Sequence, residues 1–370
     1  MKRYFFFLTI FIFLGGLVFA QTDLQPVAIV RLSKSQPISV KEFKDYVNWM
    51  NLSRSNAAEP GQQPPPLNAE ERRQILETIS NQLLACQAAE QENVTITDRE
   101  LNQAVDEELK PLSAYLTQKL GRAPSDAEID NELRGQTGMT RAGFREQIRR
   151  SILTNKYLQF KKQALFQSVK PPTDAEVQGL YNQVKDKNIL EGGFVRPDTI
   201  RIKMIWVPVT NPADKTAALE KANQLVRQIG GDAGKFDEVV DDSRKANSGY
   251  VGGDGPYLYK NEQVRAAMGI DFYDTAFRLK QGEVSKLLER PDGYYIIKVT
   301  ETLRQKTLTL EDVYRLEDPR RTTVKNYILI TESQKRQLEV YERASLELVD
   351  ELKKRGSVQI MDSAYNSIVW

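Results

Sequence analysis

No histidine occurs anywhere in this 370-residue chain, and cysteine occurs once. A histidine general base, a histidine metal ligand and a Ser-His or Cys-His nucleophile are therefore excluded. Cys86 sits in Leu83-Leu84-Ala85-Cys86, an apolar helical face, and reads as a small buried hydrophobe. The Gly-x-x-x-x-Gly-Lys-Ser/Thr loop that cradles nucleotide phosphates is missing too, so no ATP site is expected. A formal net charge of +2 without a basic run gives no support to nucleic-acid binding. No cofactor and no metal are implied. What remains is apolar and aromatic: Met268-x-x-x-Phe272-x-x-x-x-Phe277 and Gly293-Tyr294-Tyr295-Ile296-Ile297. Their plain reading is the core of a small α/β module.

Those residues belong to the stretch from Thr199 to Thr302. A strand-like run (Thr199 to Val209) opens it, with Ile200, Ile202 and Met204 alternating with polar residues. A helix carrying Leu219, Ala222, Leu225, Val226 and Ile229 follows and stops at Gly230-Gly231. A short acidic helix (Phe236 to Ser243) leads to Gly252-Gly253-Asp254-Gly255, read as a glycine-rich turn. Then come the Met268–Phe277 run, Gly282-Glu283-Val284-Ser285, and a closing strand pair that ends at Val299.

In that order these residues resemble the parvulin family of peptidyl-prolyl isomerases. The reaction the resemblance implies is rotation about an Xaa-Pro amide, over a barrier of roughly 18–20 kcal/mol. Such a site must grip the proline ring and stabilise the twisted amide. Parvulins do so with an apolar clamp beside two histidines and a cysteine or aspartate. The resemblance implies Met268, Phe272 and Leu258 as the substrate-binding set. Met204 and Tyr295 stand where the family has its histidines, and Lys245 stands near its cysteine or aspartate, so the polar set is degenerate. Tyr295 is left as the one candidate donor of a hydrogen bond.

Outside this module the chain reads as helical. Met1 to Ala20 has the charged end, apolar stretch and small-residue cleavage site of a secretory signal peptide; uncleaved, it would act as a membrane anchor. No cysteine near the cleavage point indicates a lipid anchor. Pro26 to Leu32 reads as a strand. Helix starts are marked by Ser39 with Glu42, Asn68 with Glu71, Thr97 with Glu100, Ser125 with Glu128 and Thr173 with Glu176. A Pro/Gln-rich loop, Glu59 to Leu67, interrupts the series. The initial strand, Glu42-Phe43, Ile79 to Ala88, Val94 to Thr97, Gly138-Met139 and Phe144 to Arg150 together resemble the N-terminal domain of SurA and its relatives. A helix from Thr323 to Arg355 follows the module, with Leu338, Tyr341, Ala344, Leu348 and Leu352 on one side. Ser357 to Met361 reads as a short strand. The resemblance implies that this strand returns to the first one, setting Val358 and Ile360 against Val27, Ile29 and Val30. A coiled-coil arm is the alternative.

The expected architecture is α+β: a helical SurA-N-like domain completed by a C-terminal helix and strand, with an inserted α/β parvulin-like domain. The boundaries read as 1–20 signal peptide, 21–172 helical domain, 173–198 linker helix, 199–305 parvulin-like domain and 306–370 returning segment. The function this implies is an exported, ATP-independent chaperone for unfolded or nascent secreted and outer-membrane polypeptides, with isomerase activity weak or lost. It would work in a periplasm or other extracytoplasmic space, as a monomer or weak dimer, with a membrane-proximal position open. Two alternatives remain: an active isomerase using the Met268/Phe272 pocket and Tyr295, and a structural or adhesive envelope protein.

Overall fold

The computed structural model describes residues 23–58, 63–245 and 248–370. The signal peptide read over Met1 to Ala20 lies outside the described residues, as do residues 59–62 of the Pro/Gln-rich loop. Two compact units are present: Met1–Val169 together with Gln337–Trp370, and Lys170–Arg336. Among the described residues, no helix is long and apolar enough to cross a membrane.

The first unit opens with the antiparallel pair β1 (Pro26–Arg31) and β2 (Ser35–Ser39). Helices α1 (Val40–Ala57), α2 (Ala69–Gln91), α3 (Asp98–Leu120), α4 (Asp126–Thr137), α5 (Arg141–Lys161) and α6 (Gln163–Gln167) follow. Asn68, Thr97 and Ser125 each accept from the amide three residues on, while Glu71, Glu100 and Glu128 reach back to the cap's own amide. These reciprocal bonds satisfy donors that a helix start leaves orphaned. At Ser39 only half the device forms. Its hydroxyl accepts from the Glu42 amide at 3.1 Å, but the Glu42 carboxylate is taken by Arg150 of α5.

The second unit starts with α7 (Asp174–Val184), capped by Thr173 and Glu176 in the same reciprocal way. Val177 of α7 is fully buried beside Phe194, Tyr314 and Ile328, so this helix is part of a core. Next come β3 (Val195–Arg196), β4 (Thr199–Pro208), α8 (Lys215–Ile229), α9 (Ala233–Asp242) and β5 (Val251–Tyr259). They are followed by α10 (Glu262–Met268), α11 (Ile270–Arg278), β6 (Leu288–Arg290), β7 (Gly293–Leu303), β8 (Lys306–Thr307) and α12 (Val324–Arg355). The main sheet is antiparallel in the order β5-β4-β7-β6. Strand alternation sends Ile205, Val207, Tyr294 and Ile296 to one face, against α8 and α9. The other face carries Ile202, Met204, Tyr295 and Ile297.

Gly252-Gly253-Asp254-Gly255 is not a turn. It runs inside β5, with Gly253 opposite Met204 and Asp254 opposite Lys203. The glycines are there for close approach. A Cβ on Gly252 would lie 2.9 Å from the Val240 Cα, and one on Gly255 would lie 2.7 Å from the Ile202 Cγ1.

Beyond Arg336, α12 belongs to the first unit and leads into β9 (Ser357–Ile360) and α13 (Asp362–Asn366). β9 pairs antiparallel with β1, Ala28 opposite Ile360 and Val30 opposite Val358, giving a sheet ordered β2-β1-β9. Ala344, Leu348 and Leu352 are buried with Leu76, Leu83 and Leu84 in this unit's own core, which removes the coiled-coil reading for them. Leu338 and Tyr341 are 57% and 41% exposed, so the buried stripe is shorter than the sequence pattern suggests.

Candidate functional site

The face of the main sheet turned away from α8 and α9 gathers most of the candidate residues. β4 contributes Met204 and Trp206, β5 contributes Leu258, and β7 contributes Tyr295, Ile297 and Val299. α10 and α11 lay Met268, Phe272 and Ala276 across them, and Leu288 of β6 packs at the margin. Phe272 meets Tyr295 edge-on with ring centroids 5.7 Å apart, and Trp206 stacks on Tyr295 at 6.1 Å. Phe272 is 2% exposed, Tyr295 6%, and Leu258 2%. These side chains form a filled cluster, with Met268 half-buried.

One corner organises the polar atoms around it. Gly293 has φ +144°, and a Cβ there would stand 2.3 Å from the Val207 carbonyl oxygen and 2.8 Å from the Trp206 Nε1. Only glycine lets the chain pass so close. Asp292 is thereby brought beside the cluster: its carbonyl accepts from the Trp206 indole N–H at 3.2 Å, and its carboxylate accepts from the Tyr295 hydroxyl at 2.7 Å. Burial, then the bond to Asp292 and its negative charge, push the Tyr295 phenol well above its ordinary range. The phenol is neutral at physiological pH, and its one proton is committed to Asp292 rather than to a ligand.

Arg290 covers the remaining side. Its guanidinium carbon lies 5.4 Å from the Phe272 centroid and 5.3 Å from the Tyr295 centroid, within cation–π range. Its Nε is 3.7 Å from the Asp292 carboxylate.

Met204, Leu258, Met268, Phe272 and Tyr295 thus share one cluster. Lys245 stands apart: it follows α9, its side chain is 75% exposed, and its Nζ pairs with Asp242 at 2.6 Å. Sequence reasoning missed Trp206, Arg290 and Asp292. Strand alternation could have found Trp206, two residues beyond Met204 on the same face. Nothing local marks Arg290 or Asp292, whose places depend on the close passage at Gly293.

The helical unit, by contrast, has a concave feature. A groove of about 860 Å³ is lined by α1, α3, α4 and α5, with Trp49, Leu109, Leu112, Tyr115 and Phe144 among its walls. Tyr115 is 49% exposed. Among the described residues, no group of three or more acidic or cysteine side chains could hold a metal ion.

Comparison with known proteins gives two family matches. A PPIC-type PPIASE domain matches residues 181–303, and a SurA-like N-terminal domain matches residues 2–158. The foldase protein PrsA of Clostridium botulinum (strain Loch Maree / Type A3) is 22% identical over 322 residues, 86% of this chain and 82% of the relative. The chaperone SurA of Chromohalobacter salexigens is 26% identical over 246 residues, 66% of this chain. The chain spans 50% of that relative's length. A solved structure from a study of the SurA-like chaperones PEB4 and Cj1289 of Campylobacter jejuni is 17% identical, with a TM-score of 0.29. It covers 87% of this chain and 97% of its own.

Proposed function

This chain is a SurA/PrsA-like foldase-chaperone of the parvulin family with one PPIC-type domain, and from that premise we propose that it acts mainly by holding unfolded polypeptides, with isomerase activity weak or absent. The observation that carries this is the fate of the polar set. The chain has no histidine, and the Tyr295 hydroxyl is already given to Asp292 at 2.7 Å. An apolar cluster remains, without the tyrosine donor that the twisted amide nitrogen would need. Loss of such groups commonly costs on the order of 10²-fold or more in rate. Holding, by contrast, needs only apolar surface, and the groove beside Trp49 and Tyr115 supplies it in the helical unit.

Clients are unfolded polypeptides; we take them to be exported ones, met outside the cytoplasm after delivery by the leader read over Met1 to Ala20. We assign client holding to the helical unit, residues up to 169 with 337–370. The unit 170–336 is taken as the degenerate parvulin body; Leu308, Tyr314, Val324 and Ile328 belong to its core rather than to the returning segment. The protein works as a monomer or weak dimer, close to a membrane or free of it, and nothing in the cycle consumes ATP.

The test compares two assays on the mature chain. Near-stoichiometric protein should suppress aggregation of a denatured client, while catalytic amounts should leave the cis–trans relaxation of an Xaa-Pro peptide unchanged within about twofold. Substantial catalysis with no suppression of aggregation would sink the proposal in favour of an isomerase.

A further inference from the structure

The groove between α1, α3, α4 and α5 is mostly apolar, with Trp49, Leu109, Leu112 and Tyr115 in its walls. Among the described residues, Glu108 is the one charged side chain that lines it. That residue is exposed, and its carboxylate has no partner among them. Other acids of α3 and α4 are already paired: Glu100 meets Lys156 at 2.7 Å, Asp130 meets Arg141 at 2.5 Å, and Glu132 meets Lys119 at 3.5 Å. Lys119, which also lies 5.5 Å over the Tyr115 ring, is thereby occupied. Pro111, inside α3 and in the groove wall, has no N–H to give the Glu107 carbonyl one turn back, which leaves a second acceptor next to Glu108. From Asp98 to Thr137 the α3–α4 hairpin carries nine acidic and five basic residues, so the groove lies in a negative field on a chain whose formal net charge is +2.

From this we infer that Glu108 gives the groove a charge preference: it takes unfolded segments in which a lysine or arginine stands close to aromatic or large aliphatic residues. The apolar walls receive the uncharged side chains, and the unpaired carboxylate receives the cation. A lysine or arginine suits both parts, because its aliphatic stem lies along apolar surface while its charged head reaches the acceptor. Spacing follows from α3. Glu108 and Tyr115 are two turns apart, about 10 Å along the axis. An extended chain covers that in about three residues, so the cation and the apolar anchors belong within a few positions of each other. An acidic segment would meet Glu108 and the surrounding field as a like charge. The inference rests on the reading of this groove as a holding surface, and the experiment separates the two.

The Trp49 indole N–H, assigned with a Trp49→Phe variant, gives an NMR signal in the groove wall. Capped Lys-Ser-Phe-Ser-Leu, and its counterparts beginning with Gln or Glu, are titrated into the full chain at low and high salt. The lysine peptide should bind about threefold tighter than the glutamine one, as one exposed charge pair allows. The glutamate peptide should bind weakest, and the order should flatten in high salt. In Glu108→Gln the lysine-to-glutamine ratio should fall to about one, and in Glu108→Lys the order should reverse; unchanged thermal melts would show that the helical unit is intact in both. Equal binding of the lysine and glutamine peptides, or a preference that survives Glu108→Gln, overturns the role of Glu108 and leaves the groove standing as a holding surface. No shift of the Trp49 signal with any peptide, in a protein that still suppresses client aggregation, overturns the inference and moves holding elsewhere. No shift together with no suppression overturns the holding reading as well.

Discussion

Phe272 is buried to the same degree as the aliphatic core around it, and that limits what a substitution there can report. Phe272→Ala removes a ring packed between Tyr295, Met268 and the Arg290 guanidinium, and should cost about 3–5 kcal/mol of stability. Urea unfolding of the two proteins measures this; a loss below about 1 kcal/mol would mean that the cluster is open rather than filled. Phe272→Leu is consequently the better probe of ligand binding. Tyr295 and Asp292 allow a finer test. A double-mutant cycle of Tyr295→Phe and Asp292→Asn should give a coupling of about 1 kcal/mol, at the low end for a bond to a charged acceptor because the Asp292 side chain is 50% exposed. A coupling near zero would return the Tyr295 proton to the ligand and revive the isomerase reading. Much at this scale was legible: the spacing of Met268 to Phe272, and of Met204 to Tyr295 in the family pattern, singled out side chains that do meet. The sequence left a filled core and an open pocket both standing for Met268 and Phe272, because the choice depends on Arg290 and Trp206, which arrive from other strands.

The helix starts show how far a local rule carries. Asn68, Thr97, Ser125 and Thr173 were readable as caps because the device spans only three residues, and all four form the reciprocal bonds. Ser39 does not, since Arg150 takes the Glu42 carboxylate from across the unit, and no three-residue window contains Arg150. The glycines of β5 failed as turn signals for a similar reason: the contacts that require Gly252 and Gly255 come from α9 and β4. The caps also carry a pH dependence. Lys156, then the Thr97 amide and hydroxyl, hold Glu100 at about 2, against an ordinary value of 4.5. Arg122 with Ser125, and Thr173 with Arg336, hold Glu128 and Glu176 at about 2 as well. Each folded value lies below its unfolded one, so the unfolded chain binds more protons between them. Their stabilisation is complete above about pH 4.5 and is lost as pH falls towards 2. Glu100→Gln keeps an acceptor for the Thr97 amide but cannot titrate. Its stability curve should therefore be flatter than the wild type's between pH 4.5 and 2, measured by urea midpoints across that range; parallel curves would remove Glu100 from the acid response.

At the scale of the whole chain, the return of the C-terminus to the first strand is the feature on which the helical unit depends. β1 is the central strand of β2-β1-β9, and Val27, Ala28 and Val30 are completely buried. β9 supplies the ladder on one side of β1, and the segment after it continues the contact. The Met361 amide donates to the Val27 carbonyl at 2.9 Å, while Tyr365 and Trp370 pack on Phe43 with centroids 5.8 and 5.5 Å away. Arg72 lies 4.4 Å over the Trp370 ring. Removing residues 357–370 strips these contacts together and leaves the β1 edge unpaired, an open template for other chains. The lost ladder and aromatic contacts amount to on the order of 5 kcal/mol. For a unit of this size that should lower its melting transition by about 10–20 °C. The unit Lys170–Arg336 contains none of the deleted residues, so its transition should stay where it is and serve as the internal reference in the same calorimetric scan. Client holding at temperatures above the lowered transition should fail as well, with the truncated protein joining the aggregate. Equal melting of both units in the two proteins would mean that β9 decorates the sheet without supporting it, and that residues up to 169 with the returning part of α12 are enough to fold the helical unit.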